Sequence, residues 1–551
     1  MSHGYDTTTV TRTDGIVHHD PAAFGLDRHS GAFVYTDQPV TLSAMFAEAV
    51  ERAPDRDAFV YPGYGRTDTY RDLAARVDRL AAGLAEAGVS PDGLVSVLLT
   101  NRPAFIETVF ACARLGVTVA PINTRVSPRE LSPLLADADP ELLVTEPALT
   151  GVVADADYEP DPATYYTVDG SDDTAGRPYR TLFEASKPPA ADPDGSDTCA
   201  VMYTSGTTGR PKGCRVTHRN LVNSAVNYRV SFATEEGLRT LVTVPLFHGA
   251  GLVSNVVHTV GVAGTTVVLD GADPERFLSA VETHEVEFTL SVPTTYVLAA
   301  EQAQPERYDL SSLETAAYGG APMPEESVRQ LRDAFPDTAL CDAYGTTETT
   351  AGLVTMCPDE YTDDHAATIG LPAPPVEVAV VDDDREPLGP GEVGELAVRG
   401  PIVVDGYRNR PDATAAAFDD GWHYTGDLAT VDPDGFVSLK GRDTDRIVRG
   451  GENVYALDVE AVLTGHPKVL EASVTGFPDA VLGERVLAAV VPTPETRLTE
   501  ESLREHARDR LAAYKLPEVI RVLDELPKNP GGKVLKDELV PEPLSYGIQA
   551  G

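Results

Sequence analysis

An α/β fold is predicted by three features of the chain. Short apolar runs alternate with amphipathic, helix-length segments from about residue 41 to residue 292, the signature of βαβ units around a parallel sheet. From about Pro375 the strands shorten and Gly and Pro turns separate them, as in Gly394-Glu-Leu-Ala-Val-Arg-Gly400, which reads as a β-rich subdomain. After Gly441 comes a compact block with its own pattern, large enough for an independent α+β domain. The expected organisation is an arm over 1–40, a large domain over 41–441 (β-rich from about 375) and a small domain over 442–551.

In chain order, residues 1–40 are weakly patterned and read as an extended arm or cap. Leu73, Val77, Leu80 and Leu84 recur at helical spacing over 69–88, and Gly88 supplies the stop. A strand is expected at 94–99, a helix at 102–115, a strand at 117–121, a helix near 128–136 and a strand at 142–145. Residues 150–197, rich in Asp, Pro, Gly and Ala, read as a surface excursion. The alternation resumes with a helix at 218–230, strands at 241–245 and 265–269, a helix at 273–284 and a strand at 288–292. In the last block, helices at 456–463 and 500–513 accompany strands at 471–477, 486–491 and 519–523, before a glycine-bearing tail.

Composition narrows the function. The 551 residues carry a net charge of −42, from 86 acidic and 44 basic side chains, so the surface repels nucleic acid and anionic membrane. Only eight residues are lysine: Lys187, Lys212, Lys440, Lys468, Lys515, Lys528, Lys533 and Lys536. This acidic, lysine-poor composition resembles that of haloarchaeal proteins. At about 1 M salt the Debye length falls to about 3 Å, and such self-repulsion becomes tolerable. The five cysteines are scattered, without Cys-x-x-Cys spacing, which suits a reducing compartment and offers neither a disulfide framework nor a zinc site. No run of 18 apolar residues and no apolar leader occurs, so a soluble, cytoplasmic protein without stable membrane insertion is expected, with a homodimer left open.

One stretch organises the chemistry. Tyr203-Thr-Ser-Gly-Thr-Thr-Gly-Arg-Pro-Lys-Gly213 packs three glycines, four aliphatic hydroxyls and a lysine behind the apolar run Ala200-Val201-Met202. Glycines let backbone N–H groups approach an anion, hydroxyls donate and lysine adds charge, so this is a phosphate loop. It is not a Walker loop: Pro211 replaces the second glycine and Gly213 the final hydroxyl. Further clusters follow: Pro245-Leu-Phe-His-Gly-Ala-Gly251, Tyr318-Gly-Gly-Ala-Pro322, Asp342-Ala-Tyr-Gly-Thr-Thr-Glu348, Tyr424-Thr-Gly-Asp427, Gly441-Arg-Asp-Thr-Asp445 and Pro527-Lys-Asn-Pro-Gly-Gly-Lys533. Singly, each is a turn or a surface charge; their joint order is the signal.

In that order the clusters resemble the adenylate-forming (AMP-binding) superfamily of acyl-CoA synthetases, peptide-synthetase adenylation domains and beetle luciferases, over nearly the whole chain. The resemblance implies a large N-terminal domain and a small mobile C-terminal one. It also implies two reactions: a carboxylate and ATP give an acyl-adenylate and pyrophosphate, and CoA then displaces AMP. Thr204, Ser205, Gly206, Thr207, Thr208 and Lys212 match the loop holding the β- and γ-phosphates. Gly319, Gly320 and Ala321, with Asp342, Ala343, Tyr344, Gly345 and Thr346, match the nucleotide pocket, Tyr344 offering adenine a face and Asp342 an acceptor. Thr347 matches the α-phosphate hydroxyl and Glu348 the Mg²⁺ carboxylate. Asp427 matches the ribose acceptor, Arg442 a group near ribose and phosphate, and Lys533 the catalytic lysine of adenylation.

The hinge maps onto Thr444, where Asp or Lys is usual, and Gly450, Gly451 and Glu452 match the pantetheine tunnel. Phe247, Gly251, Tyr318 and Gly345 are expected around the acyl group, with His248 as its gate or near its carboxylate. Gly345 replaces a tryptophan of acetate-specific relatives and so is read as leaving room. The mostly small or apolar lining favours a medium- or long-chain fatty acid, with an aryl acid of the benzoate or 4-coumarate type as the alternative. Adenylation without CoA transfer and a non-catalytic nucleotide-binding protein rank below both.

Overall fold

The computed structural model describes residues 9–540, apart from 30, 37, 171–173, 186, 205–210, 272, 322, 324, 360–364, 366–367, 480, 494–495, 497, 509 and 530–531. Two largely parallel sheets, an antiparallel sheet, a small C-terminal sheet and a two-stranded ribbon of Leu26–His29 with Ala32–Tyr35 are seen among the described residues. The first has seven strands in the order Arg177–Pro178, Tyr165–Thr167, Leu142–Thr145, Leu94–Leu98, Thr118–Pro121, Thr198–Thr204, Lys212–Thr217. The second has nine, and its central parallel strands include Asp57–Tyr61, Thr265–Val268, Arg239–Val242, Phe288–Ser291, Thr315–Gly319 and Ala339–Tyr344.

Local sequence explains the helices between them. Tyr70–Glu86 begins at a capping box in which Thr69 and Asp72 exchange hydrogen bonds, and it buries Leu73, Val77, Leu80 and Leu84. Pro103–Leu115 starts on a proline and is apolar nearly all round because it is buried nearly all round, in a core containing Val95 and Val97 of the first sheet and Val242 and Val268 of the second. His218–Ser231 turns a polar face inward: Asn220 donates to the carbonyls of Pro401 and Val403, and Asn227 to that of Leu353. Those bonds hold the loops that reach the site from the β-rich region.

The arm expected over 1–40 is, where described, structured. Val10–Thr13 and Ile16–His19 form a hairpin, and Val17 pairs with Val378, so the N-terminus extends the antiparallel sheet built from Glu377–Val381, Gly394–Arg399, Trp422–Val431 and Val437–Arg442. Weak local patterning hid a strand whose partner is hundreds of residues away. The excursion over 150–197 likewise contributes the last two strands at one end of the first sheet: Tyr165–Thr167 pairs with Leu142–Thr145 and with the edge strand Arg177–Pro178, while Tyr179 and Leu182 enter the core. The helix expected over 500–513 closes at Glu500–Arg508; beyond it the chain turns, and Leu511, Tyr514 and Leu516 pack on the small core.

The small sheet runs Glu452–Val454, Ile447–Arg449, Gly483–Pro492, Val469–Asp479, with Val519–Val522 beside Gly483–Pro492, and Ala456–Thr464 packs on it. Among the described residues no helix is long and apolar enough to cross a membrane.

Candidate active site

Thr198–Thr204 and Lys212–Thr217 are antiparallel partners, with Thr204 opposite Lys212. The phosphate-type segment is therefore flanked by two strands that pair with each other. Ser205, Gly206, Thr207 and Thr208 lie outside the described residues. The roots of the hairpin are well anchored: Tyr203 donates from Oη to Asp137 Oδ2 at 3.0 Å, and Lys212 Nζ lies 5.2 Å from the centre of the Tyr407 ring.

The next components stand at the ends of neighbouring parallel strands. Tyr318 pairs with Asp342 and Gly319 with Ala343. A Cβ on Gly319 would lie 2.2 Å from the Ala343 carbonyl oxygen, and Gly320 has φ +77°, so this bend requires both glycines. Burial without a compensating cation pushes Asp342 up to about 7. Downstream, Thr346 caps the turn Thr347–Thr349 by accepting from the Thr349 N–H at 3.3 Å, with Glu348 in that first turn. Thr350 and Ala351 follow with φ of 60° and 47°, and Tyr228 Oη holds the Ala351 carbonyl at 2.8 Å. The Glu348 carbonyl accepts from Val404 N–H at 2.9 Å, and its Oε1 accepts from Tyr407 Oη at 2.8 Å.

At the other end, Tyr344 Oη donates to Asp427 Oδ2 at 2.6 Å, and Arg442 Nε meets Asp427 Oδ1 at 2.9 Å. Asp427 is 8 % exposed and directly opposite Arg442 on adjacent strands. Both of its oxygens are engaged, each keeping acceptor capacity for a further donor. Lys533 sits on an exposed turn closed by bonds between Asn529 and Lys533, and its ammonium is held below the usual lysine range by desolvation and by Arg442, against the opposing pull of Asp445 and Asp427. Lys440, Lys515, Lys528 and Lys536 all pair with carboxylates, whereas Lys533 forms no ion pair among the described residues. Sequence-distant Tyr344, Asp427, Arg442 and Lys533 are thus gathered.

The acyl-side residues divide. Phe247 and His248 have ring centres 4.6 Å apart, and desolvation, with Arg125 adding to it, holds His248 down to about 4, so its imidazole is neutral at pH 7. Gly251 is pressed against the Pro245 carbonyl, 2.4 Å from where a Cβ would stand, at the start of the π-helix Ala250–Val257. Tyr318, however, is buried with Tyr296, Met323 and Leu331, in a cluster separate from the one holding Phe247. The reading of Gly345 also changes. A Cβ there would point at the Gly352 carbonyl oxygen 2.4 Å away, so close backbone approach is by itself a reason for this glycine.

Thr444 is exposed in the turn Asp443–Asp445, its hydroxyl on Asp445 Oδ1 at 3.3 Å. Gly450 and Gly451, with φ of 60° and 87°, turn the chain into Glu452 at the tip of the small sheet, where Gly450 N–H donates to Leu482 at 2.7 Å. The contacts described for these residues lie within the small domain.

Tyr407, Asp137 and Asn101 escaped the sequence reading. Asn101 donates to the carbonyls of Val244 and Leu269 and accepts from Leu246 N–H at 2.8 Å, fixing the turn that carries Phe247 and His248. None lies in a glycine–hydroxyl cluster; the only local signal was Gly406 before Tyr407, which announces a turn and no chemistry. Among the described residues no group of three or more His, Cys, Asp or Glu side chains is placed to hold a metal ion.

Comparison with known proteins decides the family. The AMP-binding enzyme family matches residues 46–408, and the AMP-binding enzyme C-terminal domain matches 458–533. The chain belongs to the AMP-binding enzyme family. With it go ATP-dependent adenylation of a carboxylic acid and the class of AMP-forming acid–CoA ligases. The chain is 38 % identical to a feruloyl-CoA synthase of an Amycolatopsis species, over 86 % of this chain and 94 % of that one. It is 31 % identical to a long-chain-fatty-acid–CoA ligase of Mycobacterium tuberculosis, over 90 % and 97 %. Among solved structures, o-succinylbenzoate coenzyme A synthetase from Bacillus subtilis in complex with ATP and magnesium superposes with a TM-score of 0.79 at 30 % identity, covering 90 % of this chain and 98 % of that one.

Proposed function

We propose that this AMP-binding enzyme activates an aryl or arylalkyl carboxylic acid and transfers it to CoA. The observation that carries the reading is its 38 % identity to a feruloyl-CoA synthase. The adjacent rings of Phe247 and a neutral His248 support it. A fatty acid, which the sequence alone ranks first, is the second reading. The small and apolar residues between Phe247 and Val253 and the mycobacterial relative support it.

In the first half-reaction a carboxylate oxygen bonds to the α-phosphorus as the bond to the departing pyrophosphate breaks. Two anions meet and a third leaves, so catalysis is charge neutralisation at fixed positions. We assign Lys212, with Thr204 and residues 205–208, to the β- and γ-phosphates, Thr347 to the α-phosphate, and Asp427 and Arg442 to the ribose side. Gly319, Gly320 and Ala321 would border the base together with the Tyr344 ring, and Asp342 would accept from its amino group.

Lys533 is assigned to the reacting oxygens. An ammonium that has no ion pair among the described residues and is partly desolvated adds most where negative charge concentrates. Glu348 is assigned to Mg²⁺. Its Oε2 makes no hydrogen bond among the described residues, and no all-protein cage surrounds it, which suits an ion completed by phosphate oxygens and water. Bound there, Mg²⁺ would neutralise charge on the phosphates.

In the second half-reaction the CoA sulfur, as thiolate, attacks the acyl carbonyl carbon and AMP departs. We place the domain boundary at 441/442 and the pivot at Thr444, with rotation withdrawing Lys533 and bringing Gly450, Gly451 and Glu452 to the thiol path.

Carboxylate-dependent ATP–pyrophosphate exchange and CoA-dependent AMP release, measured with ferulate, 4-coumarate, benzoate, laurate and palmitate, test this function. Aryl acids are expected to lead in kcat/KM by about tenfold or more, a size pocket shape readily supplies. Preference for palmitate would install the second reading, and exchange with none of the acids would sink the adenylation assignment.

A further inference from the structure

We propose that Tyr407 is a positioning residue that sets the spacing between the phosphate lysine, Lys212, and the metal carboxylate, Glu348. The inference rests on the roles proposed above for those two residues. Tyr407 is 6 % exposed and touches both: its hydroxyl donates to Glu348 Oε1 at 2.8 Å, and its ring centre lies 5.2 Å from Lys212 Nζ. A carboxylate and an ammonium that share one neighbouring side chain attract each other, and a direct ion pair would neutralise both before substrate arrived. A phenol avoids this. It spends a neutral donor on one carboxylate oxygen, leaving the full negative charge and Oε2 for a cation, while its face attracts the ammonium without cancelling its charge.

The phenol is itself held from several directions. Cys214 and Tyr407 form an isolated antiparallel bridge, Arg215 N–H donates to the Gly406 carbonyl at 3.0 Å, and Arg408 N–H donates to the Gly213 carbonyl at 2.7 Å, so residues 406–408 are laced to the strand that begins at Lys212. The same segment reaches the Glu348 loop through Val404 N–H, and Thr350 Oγ1 donates to the Ile402 carbonyl at 2.7 Å. Tyr407 N–H is taken by Thr414 Oγ1 at 3.0 Å, and Phe418 packs edge-on to the ring at 5.4 Å. Gly406, at φ +118° with Thr414 Cγ2 only 2.3 Å from a would-be Cβ, makes the tight turn that aims the tyrosine. One segment thus staples the phosphate hairpin to the metal turn, and Tyr407 is the side chain that reads out both.

The test compares the full-length wild type with Tyr407→Phe, Tyr407→Leu and Glu348→Gln. Binding of Mn²⁺ in the presence of α,β-methylene-ATP, followed by electron paramagnetic resonance, reports the metal site without turnover; ATP–pyrophosphate exchange against Mg²⁺ concentration reports its use. Tyr407→Phe keeps the ring against Phe418 and the fold, so it should weaken Mn²⁺ binding roughly tenfold, the scale of a lost hydrogen bond to a charged group. Saturating Mg²⁺ should then restore its exchange rate with little change in KM for ATP. Tyr407→Leu, which also removes the partition, should in addition raise KM for ATP. Normal Mn²⁺ binding by Tyr407→Phe, with weakened binding by Glu348→Gln, would overturn the role of Tyr407 alone. Normal binding by both would overturn the metal role of Glu348 and this inference with it.

Discussion

At the end of the site assigned to the phosphates, Glu348 accepts a part-buried hydrogen bond from Tyr407, Lys212 faces the Tyr407 ring, and a backbone bridge joins Tyr407 to Cys214. At the end assigned to the ribose, Asp427 meets Arg442 at the last strand of the antiparallel sheet, and Lys533 approaches from the small domain on an exposed turn without an ion pair among the described residues. The first group is held by contacts within one domain. In the second, Asp427 and Arg442 are already paired, while Lys533 comes from the C-terminal region and has no ion pair among the described residues. In the two-step reaction proposed above, that division would let the first end stay in place while Lys533 is withdrawn.

The largest effect that would break this contrast is expected at Lys533. Lys533→Ala should lower carboxylate-dependent ATP–pyrophosphate exchange by about 100-fold or more, while conversion of supplied acyl-adenylate to thioester changes by no more than a few fold. Equal losses in both half-reactions would mean that Lys533 belongs to the fixed end. Gly345→Ala probes rigidity instead. Its Cβ would meet a backbone carbonyl that cannot swing aside, so a loss of about 2 kcal/mol of stability is expected by denaturant unfolding. A neutral result would show that the 344–352 loop is free to shift.

Asp342 sharpens the comparison through pH. Its folded pKa near 7 lies above the value of about 4 in an unfolded chain, so the folded state keeps a proton that the unfolded state releases. Stability should fall as pH rises from about 4 to about 7, with the full penalty present above pH 7. Asp342→Asn removes it: thermal unfolding should show a gain of about 1–2 kcal/mol at pH 8, discounted for partial exposure, and almost none at pH 4.5. An equal gain at both values would contradict the assigned ionisation.

The smallest effect is expected at a surface pairing across the proposed 441/442 boundary. Lys440 meets Asp458 at 3.5 Å while Lys515 holds the same carboxylate at 2.6 Å, so Lys440→Ala should cost less than about 0.5 kcal/mol in thermal unfolding at high salt. A large loss would make that pair a true latch between strand and helix. The same unfolding experiment run from molar to low salt tests the composition argument, since a charge of −42 predicts loss of structure as screening is withdrawn.

Most of the central elements were legible because their cause is local. Helix Tyr70–Glu86 follows from a capping box and apolar spacing, and strands Leu94–Leu98 and Leu142–Thr145 from short apolar runs between turns. The N-terminal hairpin and the strands at Tyr165–Thr167 and Arg177–Pro178 were not, because their reason for being strands is a partner supplied by folding. The candidate site divides in the same way. Clusters such as Asp342-Ala-Tyr-Gly-Thr-Thr-Glu348 advertise themselves by packing glycines, hydroxyls and a charge together. Tyr407 and Asn101 do not, since a single tyrosine or asparagine acquires its task from whatever the fold sets opposite it.

By itself the sequence determined the α/β class, the order of the chemical clusters and the lysine reserved for the C-terminal turn, because periodicity, glycine placement and charge are properties of neighbouring residues. Only the tertiary structure decided that Thr198–Thr204 pairs with Lys212–Thr217, that a side chain at position 345 would meet the Gly352 carbonyl, and that Tyr407 bonds Glu348 while its ring faces Lys212. Those facts depend on distances between segments far apart in the chain, and such distances exist only once burial of the shared core has brought the segments together.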